Sequence, residues 1–90
     1  MSDSPLEPTI YSDYDVYMGY EIRTEVFGPV MTNPDDPTDL SIHYRASLAI
    51  FHQHKEIDGS REYMRLKFLT KEEAQQEAMT RGKDLVRRRF

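Results

Sequence analysis

From Tyr17 to Phe27 the chain alternates, with Tyr20, Ile22, Thr24 and Val26 set against Glu21, Arg23 and Glu25. A period of two predicts a strand with one face buried. Gly28-Pro29 is expected to end it, and the Pro- and Asp-rich stretch that follows, from Val30 to Ser41, predicts an irregular connection. A second strand is predicted over about residues 42–53, where Ile42, Tyr44, Ala46, Leu48 and Ile50 share a face opposite His43, Arg45 and Ser47. Ala49 and Phe51 break this alternation, which leaves two explanations open: a bulge, or a central strand covered on both faces. A third alternating run, Arg61 to Leu69, sets Met64, Leu66 and Phe68 against Arg61, Tyr63, Arg65 and Lys67. Asp58-Gly59, in a loop from about Lys55 to Ser60, marks the expected hairpin between the second and third strands.

Thr70-Lys71-Glu72-Glu73 has the form of a capping box, in which a threonine hydroxyl and a glutamate three residues on satisfy each other's backbone N–H groups. A helix is predicted from there to the C-terminus. Its buried stripe, Ala74, Ala78, Gly82, Leu85, Val86 and Phe90, begins with small side chains that let a helix lie close on a sheet. Residues 1–15, with two prolines and no sustained period, predict a mobile acidic arm; its aromatic residues leave open a short extra strand on the sheet edge, or ordering on binding. The predicted fold is α+β: a three-stranded antiparallel sheet in a β-β-β-α meander with one C-terminal helix packed on one face. Residues 16–90 make its single domain.

Charge changes this picture by dividing it. The net charge is -4, yet residues 1–39 carry nine acidic residues against Arg23 alone, whereas residues 40–90 carry seven against eleven Lys and Arg. Mutual neutralisation within one fold accounts for such a division, and so does a basic binding face. With no cysteine among 90 residues, disulfides, thiolate metal sites and a thiol nucleophile are excluded, and a reducing compartment, the cytoplasm, is expected. No stretch has the charge and apolar pattern of a signal peptide or the length of a membrane span, so a soluble chain without membrane contact is expected.

Candidate chemistry centres on the polar sheet face. The alternation places Arg23, Arg45, Arg61, Arg65 and Lys67 there with His43 and Tyr63, and Arg45, Arg61, Tyr63, Arg65 and Lys67 are the candidate binding residues. Cations beside an aromatic ring on an open sheet match the outline of a single-strand nucleic-acid platform. Cross-strand pairing with Glu21, Glu25 and Glu62 gives the same pattern with no ligand. Arg81, Lys83 and Arg87 to Arg89 suit the negative end of the helix dipole. His43, His52 and His54 lack a third ligand fixed by spacing, and Asp35, Asp36 and Asp39 lack calcium-loop spacing, so no metal and no cofactor is expected. Without a phosphate loop, a nucleophile elbow or an acid–base dyad, no enzymatic activity is expected.

Tyr17-Met18-Gly19-Tyr20-Glu21-Ile22 leading into the first strand, and Phe68-Leu69-Thr70-Lys71-Glu72-Glu73-Ala74 leading into the helix, resemble small bacterial protein families of strand-strand-strand-helix form whose function is unassigned. The resemblance spans residues 17–90 and implies architecture. Such families are similar to the sheet-plus-helix part of a double-stranded-RNA-binding domain, but the first helix and the Lys-Lys-x-Ala-Lys pattern are missing here, and no functional residue is carried over. The expected role is a non-enzymatic protein-interaction or scaffold domain, with self-association among its partners. The alternative is a nucleic-acid-binding module.

Overall fold

In the computed structural model, residues 7–89 are described. Three long strands, β1 (Thr9–Tyr17), β2 (Tyr20–Met31) and β3 (Ile42–His52), are followed by two short ones, β4 (Lys55–Glu56) and β5 (Glu62–Tyr63), and by the helix α1 (Lys71–Arg89). The sheet runs β1-β2-β3-β4, with β5 also on β3, and every pairing is antiparallel. This is the α+β, β-β-β-α arrangement, although the three long strands are not the three that the hydrophobic period marks.

Of the readings open for residues 1–15, the extra strand on the sheet edge is the one formed, which corrects the expectation of a mobile arm over residues 9–15. Thr9 to Asp15 belong to β1, which pairs along its full length with β2, from Thr9 opposite Gly28 to Tyr17 opposite Tyr20. Met18 (φ 52°) and Gly19 (φ 84°) form the two-residue connection. Two successive positive φ values give a turn whose twist matches that of paired strands, and glycine adopts one of them without steric cost. The domain therefore begins before residue 16; the part of the expected arm over residues 1–6 lies outside the described residues, as does Phe90.

A second correction concerns the end of β2, which continues past Gly28-Pro29 to Met31. The register shifts between Phe27 and Val30, so the irregular dipeptide is absorbed as a bulge and does not end the strand. Gly28 is required by close approach: a Cβ there would lie 2.7 Å from Cδ1 of the Tyr44 ring and 3.0 Å from the His43 carbonyl oxygen. The connection after β2 is irregular but well bonded. Asp36 accepts from the Thr38 N–H (3.0 Å) and hydroxyl (2.6 Å), Asp39 accepts from the Ser41 N–H (2.9 Å), and Asn33 donates to Asp39.

The third correction concerns the hairpin after β3 and the strand expected over residues 61–69. The chain turns at Gln53 (φ 52°) and His54 (φ 66°), with His52 opposite Lys55, so the tight hairpin precedes Asp58-Gly59. Asp58-Gly59 makes a second turn, closed by the Ser60 N–H donating to the Ile57 carbonyl (3.1 Å). Ser60, buried, then stands in for a missing ladder partner: its Oγ accepts from the Ile50 N–H (3.1 Å) and donates to the Ile50 carbonyl (3.2 Å). Beyond β5 the ladder breaks. Tyr63 is opposite Ser47, but the next bridge joins Phe68 to Tyr44, leaving more chain on this side than β3 can match. The surplus bows outward around Arg65 and Leu66, which leaves Leu66 exposed where alternation placed it with Met64 and Phe68 in the core. Of the two explanations for Ala49, the central strand holds: Ser47 and Ala49 point away from the helix and are buried because they are small side chains set among larger neighbours on the same face, Arg23, Glu25 and Tyr63.

The helix starts as its cap predicts. Thr70 Oγ1 accepts from the Glu73 N–H (3.1 Å), while the Glu73 carboxylate reaches one residue further back, to the Leu69 N–H (3.3 Å). Ala74, Ala78, Gly82, Leu85 and Val86 are buried against Ile22, Val26, Ala46, Leu48 and Ile50. Fully burying an aliphatic side chain of this size stabilises by about 1.5–3 kcal/mol. An exposed ion pair contributes at most about 1 kcal/mol. The apolar contact therefore holds the helix on, while the pairs Arg81–Glu62 (3.1 Å) and Lys83–Asp15 (3.4 Å) orient it toward β5 and β1.

Candidate interaction surface

Helix α1 covers one face of the sheet. The other face is open, and its composition follows from register, because directly opposed residues in antiparallel strands point the same way. Four rows cross it. Ile10, Phe27 and Arg45 form the first; Ser12, Glu25, Ser47 and Tyr63 the second; Tyr14, Arg23 and Ala49 the third; Val16, Glu21, Phe51 and Glu56 the fourth. Large side chains at the margins and Ser12, Ser47 and Ala49 between them leave the face concave. Ile10, Phe27 and Tyr63 line a depression of about 190 Å³, and Tyr14, Arg23, Phe51 and Arg61 line a larger one of about 600 Å³.

Ile10, Tyr14, Val16, Phe27 and Tyr63 are exposed together on this face, with Tyr14 at 65% and Tyr63 at 72%. Scattered exposed apolar residues are ordinary, but a contiguous group on a concave sheet face marks an interaction surface. Its charges are self-compensating. Arg23 bonds Glu21 and lies over the Phe51 ring, 3.9 Å from its centroid. Arg61 pairs with Glu56 (2.7 Å), an interaction that holds the Glu56 carboxyl below its ordinary range and raises the already high Arg61 value.

The five candidate binding residues divide. Arg45, Arg61, Tyr63 and Arg65 line one groove of about 690 Å³, into which Glu62 and Arg81 also project. Arg45 and Tyr63 are on the open face as expected, whereas the outward bow beyond β5 takes Arg65 off the regular ladder. Lys67 does not line this groove. It acts at His43, where burial, followed by the charges of Lys67 and Arg45, holds the imidazole below its usual value. His43 is buried and not on an open surface, with Nδ1 3.0 Å from the Thr32 hydroxyl. Arg45, Arg65 and Lys67 have no carboxylate partner among the described residues.

Among the described residues no three His, Asp or Glu side chains come together as a metal site, and His52 stacks beside Tyr20 with ring centroids 4.9 Å apart. No helix among them is long and apolar enough to cross a membrane. Ile10, Tyr14 and Val16 escaped the sequence reading because both faces of β1 mix polar and aromatic residues; the available signal was Gly19, two residues after Tyr17 and just before Tyr20. Comparison of the chain with protein-family profiles, with curated proteins and with solved structures finds no match in any of the three.

Proposed function

We propose that the chain is a protein-interaction domain that recruits its partner through the open face of the sheet. The observation that carries this reading is the group Ile10, Tyr14, Val16, Phe27 and Tyr63, exposed together across β1, β2 and β5 on a concave surface. Charge supports a protein partner over a polyanion, because Arg23 and Arg61 are already neutralised by Glu21 and Glu56 and Glu25 occupies the middle of the face. Desolvating apolar and aromatic surface supplies affinity, and the surrounding pairs supply register. The test compares partners recovered by cross-linking from cells producing the wild type with those recovered by a Phe27→Ser/Tyr63→Ser variant whose circular dichroism is unchanged. A defined protein recovered by the wild type and lost from the variant is expected; identical recovery counts against the reading.

The second reading, a nucleic-acid module, is favoured by one feature: Arg45 and Arg65, which lack carboxylate partners among the described residues, line one groove with the exposed Tyr63 ring. Saturable, salt-sensitive binding of single- or double-stranded DNA or RNA, lost on Arg65→Glu, would replace the first reading with this one.

A further inference from the structure

Strand β1 pairs on its inner side with β2, and among the described residues no strand pairs with its outer side. In a hairpin closed by two residues, Tyr17 and Tyr20 exchange ladder bonds, so alternate residues of β1 direct their backbone groups outward: Val16, Tyr14, Ser12 and Ile10. Two outward N–H groups are capped within the strand. The Asp13 carboxylate accepts from the Tyr14 N–H (2.9 Å), and the Asp15 carboxylate from the Val16 N–H (2.8 Å). Every charged side chain of β1 is acidic, and both acids are on the helix side of the strand, while Ile10, Tyr14 and Val16 are on the open side.

We infer that the outer edge of β1 is a docking edge for an extended protein segment that alternates basic and apolar residues. An incoming strand takes over the outward N–H and carbonyl groups of Ile10, Ser12, Tyr14 and Val16, as strand addition to a sheet edge requires. It displaces Asp13 and Asp15 from the amides they cap; the Asp13 carboxylate and the Asp15 oxygen released by Val16, the other Asp15 oxygen staying with Lys83, then face Lys or Arg two residues apart on the partner's matching face. Apolar residues between these cations extend the surface formed by Ile10, Tyr14 and Val16. A second copy of the chain fits less well. Antiparallel self-pairing over the whole of β1 sets Asp13 against its own counterpart, and like charges directly opposite are destabilising. Uncommitted edges invite aggregation; capping the amides with carboxylates, which favour a basic strand over a neutral or acidic one, restricts which chains attach.

The inference rests on the reading that the sheet recruits protein, and it names the edge and the chemistry of the segment. The test uses a nine-residue peptide alternating Lys and Val, and its Glu–Val counterpart, added to the full chain and followed by amide hydrogen exchange. Binding of the Lys peptide alone is expected, with exchange slowed at Ile10, Ser12, Tyr14 and Val16. Asp13→Asn with Asp15→Asn keeps an oxygen to cap each amide but removes the charge, and should weaken binding about tenfold and flatten its salt dependence. Ser12→Pro removes an outward N–H without removing a β1–β2 bond, and should abolish slowed exchange along the edge. Equal binding of the Glu peptide, or no binding of either, overturns the inference. Slowed exchange confined to the facing surfaces of β2 and β3 also overturns it, while leaving the open-face reading in place. The same amides protected without peptide, at concentrations where the chain dimerises, would assign the edge to a second copy and overturn the basic-strand partner.

Discussion

Gly82→Ala tests the packing of helix on sheet, because two effects of opposite sign compete at one position. In an exposed helix interior, replacing glycine with alanine stabilises by about 1 kcal/mol. Here a Cβ would lie 2.3 Å from Cγ2 of Ile22, with the Ile22 Cβ and Cγ1 at 3.5 Å. Carbon atoms in contact sit about 3.5–4.0 Å apart, so helix or side chain must yield by more than about 1 Å. Ile22 has little freedom to yield, being fully buried near the start of β2, between β1 and β3, against the same core as Leu48 and Val86. Lifting the helix would loosen Ala78, Leu85 and Val86 together. Overpacking costs about 1–3 kcal/mol, which outweighs the propensity gain at most of that range. The expected net destabilisation is about 1 kcal/mol, and the thermal midpoint of a domain this size should fall by about 4–8 °C. Circular dichroism at the helix band, in thermal and urea unfolding, reads the change. Adding Ile22→Ala removes the clashing methyl, so the double variant should lose less stability than the two single variants together, by about 1 kcal/mol or more. A midpoint raised by Gly82→Ala would refute the close helix–sheet contact.

Three further outcomes follow from particular side chains. Ser60→Ala leaves the buried Ile50 N–H without its acceptor, while the Ile50 carbonyl keeps the Ile57 N–H (2.9 Å); a loss of about 1–3 kcal/mol and faster exchange of the Ile50 amide are expected, and an unchanged urea midpoint would contradict the role assigned to Ser60. His43 has a folded-state value below 6.5, so the folded chain binds its proton less readily than the unfolded chain. Its contribution is therefore fully present above that pH and is lost on acidification below it; a midpoint insensitive to pH between about 7 and 5, or a slope unchanged by His43→Gln, would contradict its burial. Asp39 is lowered to about 2, chiefly by hydrogen bonding from Ser41, with Asn33 next. The loop it organises should remain ordered above the ordinary value of 3.8 and loosen as pH falls through about 2. A carboxyl resonance of Asp39 titrating near the ordinary value would refute that bonding.

How far the fold was legible depended on whether one physical rule governed each segment. Ile22, Thr24 and Val26, and Ala46, Leu48 and Ile50, obey a period of two because one side of each strand meets the helix. Thr70 and Glu73 announced the helix because capping is local. The third expected strand failed at Arg65 and Leu66, where alternation continues in the sequence although the ladder does not: a bulge changes pairing without changing composition. Strand β1 was legible only as an alternative to a mobile arm, for the opposite reason. Tyr11 and Tyr17 on its helix side have Asp13 and Asp15 between them, and Ser12 interrupts Ile10, Tyr14 and Val16 on the open side, so the side that meets the helix carries no hydrophobic signature. The same fact makes β1 the most informative strand for function, since its open side supplies three of the apolar residues of the proposed surface. Of the candidate binding residues, sequence alone placed Arg45 and Tyr63 on the open face, but could not show that Arg61 is committed to Glu56 across a turn.

The most direct test of the open face is site-specific photo-cross-linking in cells, with a photoreactive phenylalanine placed separately at Phe27, Tyr63 and the solvent-facing helix position Glu77. The same discrete protein adduct is expected from positions 27 and 63, and none from 77. Adducts of equal yield from all three positions, or none from 27 and 63, would contradict it.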